Sequence, residues 1–137
     1  MEKFEVKPGI SLIEDYEVKP EHAAKHVGSG EVEVLSTPSM IAFMERTALK
    51  CVQKQLPKGF ITVGVGVNVK HLKPAPVGAK VTVEAELVKV EGRKLTFKVK
   101  AKWKEVTIGE GTHERYIVNK EKFLEKVKRM FEEKSKN

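Results

Sequence analysis

Three side chains in this sequence have the chemistry needed for acid–base catalysis: Thr37, Glu45 and His71. On a helical wheel, Glu45 falls within roughly 60° of five apolar residues, so a carboxylate stands in the middle of an apolar stripe. An ionised carboxylate in such surroundings usually needs a partner, or else it takes up a proton. Histidine titrates nearest neutrality of all side chains. We therefore predict that His71, at the end of a valine-rich strand pattern, is the partner of Glu45.

Both residues also have structural alternatives. Glu45 could lie at the margin of the apolar stripe, or pair with a buried arginine or lysine. His71 could be a hydrogen-bonded histidine with no chemical role. Pattern alone leaves these alternatives open.

Thr37 has a purely structural interpretation as well, because Ser or Thr before a helix-starting proline is typical of an N-cap. We expect Thr37 to cap the helix that begins at Pro38. A helix N-terminus also presents free N–H groups and a positive dipole end, which stabilise a developing oxyanion. Thr37 and Glu45 lie about 12 Å apart along the helix axis. A substrate in contact with both residues would have to lie across two protein chains, or approach them in a bent conformation.

The element that must position these residues is a helix at 38–55, where apolar residues recur at helical spacing. Pro57 and Gly59 end it. Residues 20–35 have the composition of an irregular loop. A second, closing helix is predicted at 120–133, because apolar residues again recur at helical spacing.

Alternation of apolar and polar residues predicts the strands. They are expected at 11–19, 61–71, 80–90, 94–104 and 111–119, with turns at Gly92 and at the sequence TIGEG. In 61–71 the alternation assigns one face to Ile61, Val63, Val65, Val67, Val69 and His71. It assigns the opposite face to Thr62, Gly64, Gly66 and Asn68.

Short turns between consecutive strands indicate antiparallel neighbours. We predict an α+β fold in which one antiparallel sheet wraps around one central helix. The length of 137 residues suits a single domain spanning 1–137.

Composition narrows the functional classes. No apolar run approaches the roughly 20 residues that span a bilayer, so no membrane partner is expected. The net charge is +7, but the lysines are dispersed and lack interleaved aromatic residues, so no nucleic-acid partner is expected. The single cysteine and the absence of an apolar leader favour the cytoplasm. No spacing of ligands indicates a metal site.

Three stretches of the chain resemble a known family. They are "STPSMIAFMERTAL", "TVGVGVNVKHLKPAPVGAKVTVEAELVKVEGRKLTFKVKA" and "IGEGTHERYIVNKEKFLEKV". The resemblance is to the hot-dog-fold thioesterases, most closely the fluoroacetyl-CoA thioesterase type, and it covers about residues 11–130. It implies a hot-dog fold whose subunits pair their sheets, with active sites at the interface, and hence a homodimer or larger homo-oligomer.

The resemblance also assigns roles to residues of this chain. The family's catalytic residues match Thr37, Glu45 and His71. Its acyl-pocket glycine matches Gly64, and its arginine near the site matches Arg115. His113 shares a strand face with Arg115 and is taken as structural.

The activity implied is hydrolysis of an acyl-CoA thioester with a small or medium acyl group. CoA enters as part of the substrate and no cofactor is implied. Lys70 and Lys73 flank His71 and are candidates for binding the CoA phosphates. The family uses aromatic groups from the region matching 20–35, where this chain has none, so fluoroacetyl specificity is not implied. The alternatives are a non-catalytic acyl-CoA sensor and a hydroxyacyl-thioester dehydratase.

Overall fold

The computed structural model describes residues 4–28 and 30–135, which form a five-stranded sheet, a long helix packed on it and a C-terminal helix. The elements are β1 (Ser11–Glu17), a 3₁₀ turn (Pro20–His22), α1 (Ala24–Val27), α2 (Thr37–Gln53), β2 (Phe60–His71), β3 (Lys80–Glu91), β4 (Lys94–Trp103), β5 (Val106–Asn119) and α3 (Lys120–Ser135). The predicted helix at 38–55 and closing helix at 120–133 are therefore confirmed to within two residues at each end.

The sheet is antiparallel throughout, in the order β1-β3-β4-β5-β2. Helix α2 packs across all five strands, and the core fills the layer between them. Its largest fully buried side chains include Phe97, Leu35, Met40 and Met44. Burial of each such side chain stabilises the fold by roughly 1.5–3 kcal/mol. The predicted α+β architecture of one sheet around one helix is confirmed.

The loop region at 20–35 is more ordered than predicted. It contains the 3₁₀ turn and α1, and isolated bridges tie Ala23 to Leu35 and Val34 to Pro76. Ser29 lies outside the described residues. These bridges hold the end of the segment in place just before α2 begins at Thr37.

The predicted turn at TIGEG is wrong, whereas the turn at Gly92 is confirmed. The chain reverses instead at Lys104 and Glu105, whose φ angles are 48° and 68°, and β5 begins at Val106. Tight hairpins require positive φ, but here no glycine marks the position in the sequence. Gly109 serves another purpose inside β5, since a Cβ there would collide with the Met40 side chain of α2.

Strand β2 contains a β-bulge that changes which residues face the helix. Its pairing with β5 is regular up to Gly64, which lies opposite Arg115, and resumes at Gly66, so Val65 is the extra residue. An extra residue reverses the alternation on one side of a bulge. Thr62 and Gly64 consequently share the helix-facing side with Val67, Val69 and His71, and the predicted single valine face is wrong.

Strand β2 lies at an edge of the sheet and is twelve residues long. Helix α3 continues directly from β5, and none of its described residues is buried. Its exposed apolar residues are Leu124, Val127, Met130 and Phe131. Among the described residues, no helix is long and apolar enough to cross a membrane.

Candidate active site

The first turn of α2 brings Thr37 against His71. The Ser36 hydroxyl oxygen accepts a hydrogen bond from the Ser39 N–H at 3.1 Å, so Ser36 is the N-cap and the prediction that Thr37 caps the helix is wrong. Thr37 is the first helical residue, and its hydroxyl is free to point outward. Its Oγ1 lies 2.9 Å from His71 Nδ1, at the last residue of β2.

Within the part of the chain that the structure describes, the second ring nitrogen of His71 has no hydrogen-bond partner. This nitrogen, Nε2, is buried. Burial lowers the pKa of His71 below its ordinary value because it disfavours the imidazolium, while the backbone of Lys73 acts in the opposite direction. The imidazole is therefore held neutral near pH 7, in the form that accepts a proton.

Glu45 does not lie in the middle of the buried face of α2, as the helical wheel predicted. The buried residues of the helix are Ser39, Met40, Phe43, Met44, Thr47, Ala48 and Val52. Only Ala48 and Val52 among them belong to the stripe centred on Glu45, while Leu49 is 36% exposed. Glu45 is half-buried at the margin, as the structural alternative stated, because the sheet covers the other side of the helix.

Gly64 and Arg115 border the same open cleft as Glu45. The cleft has a volume of about 560 Å³. A Cβ added at Gly64 would lie 2.8 Å from Glu45 Oε2 and 3.4 Å from Arg115 Nη1. The missing side chain is thus what leaves room for the carboxylate. The bulge at Val65 turns this position toward α2.

Arg115 is buried, with 5% of its surface exposed. Its Nε donates to Thr62 Oγ1 at 2.8 Å and its Nη2 to the Thr62 carbonyl at 3.0 Å. Nη1 lies 3.1 Å from His113 Nε2. Burial lowers the pKa of Arg115, and the Glu45 carboxylate raises it, because a nearby negative charge favours the cation.

The structure therefore divides the predicted site into two groups. Thr37 and His71 meet at the start of α2, whereas Glu45, Gly64 and Arg115 meet two helical turns further on. No hydrogen bond joins Glu45 to His71 among the described residues, so the predicted pairing is not found within one chain. The reason is the rise of about 1.5 Å per residue along α2.

Other predicted positions have simpler surroundings. Lys70 and Lys73 are exposed on either side of His71. His22, the last residue of the 3₁₀ turn, packs edge-on against Phe43 with ring centroids 4.9 Å apart. Within residues 4–28 and 30–135, no group of three or more His, Cys, Asp or Glu side chains is arranged to hold a metal ion.

Sequence reasoning missed Thr62 and the Gly66 carbonyl as supports of the site. His113 Nδ1 lies 2.8 Å from that carbonyl. No local signal marks these two groups, because their role depends on the bulge between Gly64 and Gly66. The only available signal was that His113 shares a strand face with Arg115.

Comparison with known proteins supports the same family as the sequence motifs. Residues 18–121 match the family described as fluoroacetyl-CoA-specific thioesterase. The fluoroacetyl-CoA thioesterase of Streptantibioticus cattleyicolor is 35% identical over 129 residues, covering 90% of this chain and 93% of that protein.

Solved structures agree. A structure of the fluoroacetyl-CoA thioesterase FlK aligns with a TM-score of 0.84 at 35% identity, covering 90% of this chain and 96% of that one. A Thermus thermophilus hypothetical protein of the thioesterase superfamily aligns with a TM-score of 0.88 at 28% identity, covering 96% and 97% of the two chains. These neighbours confirm the hot-dog fold. The chain belongs to the fluoroacetyl-CoA-specific thioesterase family.

Proposed function

We propose that this protein hydrolyses an acyl-CoA thioester to a free acid and CoA. The observation that carries the proposal is the Thr37–His71 hydrogen bond at the N-terminus of α2, together with a second imidazole nitrogen that bonds to none of the described residues. A neutral imidazole beside a hydroxyl is a suitable general base. The helix N-terminus supplies N–H donors for the oxyanion that forms on the thioester carbonyl.

In the proposed reaction, the oxygen of water adds to the carbonyl carbon while His71 accepts a proton. Thr37 holds or activates the attacking group. The C–S bond then breaks, and the proton passes from the imidazolium to the CoA sulfur. Glu45 contributes either by activating water or as a transient nucleophile.

The separation of the two groups of residues supports a site formed by two chains. We propose a homodimer in which Thr37 and His71 of one subunit face Glu45 of the other. Strand β2 offers a free edge on which a second copy could add, and an unpaired edge of this length is a strong pairing surface. Val65, 57% exposed, and Leu49 would be covered by that copy.

The relatives act on fluoroacetyl-CoA by name, but we do not extend that substrate to this chain. Residues 20–35 contain no aromatic side chain that could close over so small an acyl group. We propose a small or medium acyl group instead, with exposed Lys70 and Lys73 binding the anionic CoA. No cofactor or nucleic-acid partner is proposed. The cytoplasmic location remains a prediction from the single cysteine.

The test is a thiol-release screen over acyl-CoAs from acetyl to long-chain, comparing the wild type with two variants. His71→Ala should lower kcat at least about a hundredfold, which is the usual scale for losing a general base. His26→Ala, an exposed histidine outside both groups, is the matched control and should be unaffected. Glu45→Gln should fold normally and lose most activity.

Other outcomes would contradict the proposal. Stoichiometric binding of acyl-CoA without thiol release would identify a sensor. Loss of water from a hydroxyacyl-CoA, again without thiol release, would identify a dehydratase. Near-normal hydrolysis by His71→Ala would reject the role of that residue.

A further inference from the structure

His113 is a buried histidine that the proposed reaction does not use, and its ring contacts Arg115. The side chain of His113 is 1% exposed, and Phe97 covers its ring with centroids 6.3 Å apart. Both ring nitrogens have partners: Nδ1 lies 2.8 Å from the Gly66 carbonyl oxygen and Nε2 lies 3.1 Å from Arg115 Nη1. A buried polar group whose hydrogen-bonding atoms all have partners favours one specific arrangement of its neighbours, in addition to filling space in the core.

The partners determine the protonation of the ring. The Gly66 carbonyl can only accept, so Nδ1 must carry a hydrogen, and a guanidinium can only donate, so Nε2 must be bare. An imidazolium would direct an N–H at the Arg115 cation. Burial and the Arg115 charge both lower the pKa of His113, against opposing effects of the Gly66 carbonyl, Glu45 and Glu114. The neutral ring is therefore the form that fits.

The same contacts fix the guanidinium of Arg115 in its plane. Thr62 receives the Nε donor and one Nη2 donor, and His113 receives one Nη1 donor. An arginine has five N–H donors in a rigid fork, so these three bonds settle its orientation. Nη1 borders the space at Gly64 that the Glu45 carboxylate also borders. One hydrogen of Nη1 remains for a group in the cleft.

We propose that His113 is a positioning residue for Arg115: locked by the carbonyl of the β2 bulge, it accepts a hydrogen bond from the guanidinium and holds that cation beside Glu45 and Gly64. His113 thus links the irregular backbone at Gly66 to the cleft. This inference rests on the proposed thioesterase function for its consequence in catalysis, and on the contacts alone for its structural part.

The test compares two replacements of His113. His113→Leu fills the space but removes both hydrogen bonds. His113→Gln keeps a donor for the Gly66 carbonyl and an acceptor for Arg115. The control is Val83→Ala, a fully buried change on β3 away from this network, which measures the effect of core destabilisation alone.

In the thiol-release assay, His113→Leu should lower kcat by roughly ten- to a hundredfold, because misplacement of a catalytic group by about 1 Å can have that effect. His113→Gln should recover most of kcat. Val83→Ala should retain kcat at a similar loss of melting temperature. Equal kcat in the Leu variant and the wild type would overturn the inference, as would equal losses in the Leu and Gln variants.

Nuclear magnetic resonance gives a readout that does not need activity. In the wild type at pH 7, the proton of His113 should reside on Nδ1, and an Arg115 Nη1–H should exchange slowly with water, because it is donated to His113 Nε2. That protection should be lost in His113→Leu and kept in His113→Gln. A proton on Nε2, or protection unchanged in the Leu variant, would overturn the inference. If no acyl-CoA is hydrolysed by the wild type, the proposed function fails and these spectra still decide the positioning role. If the Leu variant does not fold, the wild-type tautomer and the Gln variant decide it.

Discussion

At the scale of single residues, the absence of a side chain at Gly64 is as important as any side chain present. The Glu45 carboxylate occupies space next to the position that a Cβ would take, 2.8 Å away. Carboxylate, guanidinium and glycine therefore form one arrangement, in which each depends on the size of its neighbours. Its three members come from three different elements: Glu45 from α2, Gly64 from β2 and Arg115 from β5.

Gly64→Ala should consequently reduce activity without unfolding the protein. The added methyl group would force the flexible end of Glu45 to move, whereas the backbone φ at this position is not in the left-handed region. We expect kcat to fall by roughly ten- to a hundredfold, as for other misplaced catalytic groups, with a small change in melting temperature. Gly78→Ala is a contrasting control, since its φ of 95° would cost stability without touching the cleft. Full activity in Gly64→Ala would show that the position of Glu45 is unimportant.

The protonation of His71 predicts a pH dependence. Because burial lowers its pKa, the neutral base persists below pH 6.5, the ordinary value, and the rate should fall only as pH drops through the lowered pKa. The free energy of unfolding should change with pH in the same direction as the rate, falling as the pH is lowered. His71 and His113 both have lowered pKa values in the folded state, so the unfolded chain binds more protons below about pH 6.5.

These two effects can be measured together. The free energy of unfolding should be unaffected by these groups above that pH and should decrease on acidification, as chemical denaturation at several pH values would show. An acid limb of the rate profile with a midpoint above pH 6.5 would contradict the burial-lowered pKa of His71.

At the scale of elements, the start of α2 divides two tasks between adjacent residues. Ser36 caps the helix, which leaves the Thr37 hydroxyl available to His71. Ser36→Ala should therefore destabilise the protein by about 1 kcal/mol, the usual effect of a lost N-cap, with kcat changed little. Thr37→Val should have the opposite profile, with stability retained and kcat lowered. Chemical denaturation and thiol release on both variants distinguish the roles, and a larger loss of stability in the Thr37 variant would contradict them.

Most elements were visible in the sequence because their signals are local. The alternation over 95–103 and the glycine at position 92 each depend on a few neighbouring residues, and both predictions are confirmed. The reversal at Lys104 and Glu105 has no such local signal. Lysine and glutamate seldom adopt positive φ, so these residue types do not predict a tight turn.

The bulge shows a different limit of sequence reasoning. Valines at every second position from Val63 to Val69 give an uninterrupted pattern. In the pairing with β5, however, Val65 is an extra residue with no partner on that strand. Strict alternation would put Gly64 and His71 on opposite faces of the strand. The two residues share a face only because a distant strand imposes the shift, so no window of the sequence around β2 could have shown it.

At the scale of the whole molecule, the proposed two-chain site would need a partner copy to bring the two groups of site residues together. We predict that light scattering at micromolar concentration gives a dimer or larger assembly. Val65→Lys should weaken that assembly, because it places a charge on the edge strand at a largely exposed position. Ile13→Lys is a matched control on β1, at the other edge, with 59% of its side chain exposed. A monomeric wild type with full activity would reject the two-chain site.

The order of strands also has a consequence for how the protein acquires its activity. Strands β3, β4 and β5 are joined by short hairpins, whereas β2 pairs with β5 across a long stretch of chain, as the Thr62–Arg115 contact over 53 positions illustrates. Loop-closure entropy makes such distant pairings slow to form. The hairpins can assemble before the edge strand docks, so the strand that bears Gly64 and His71 would arrive late during refolding and leave early on heating. Catalytic competence would then report the docking of this edge strand.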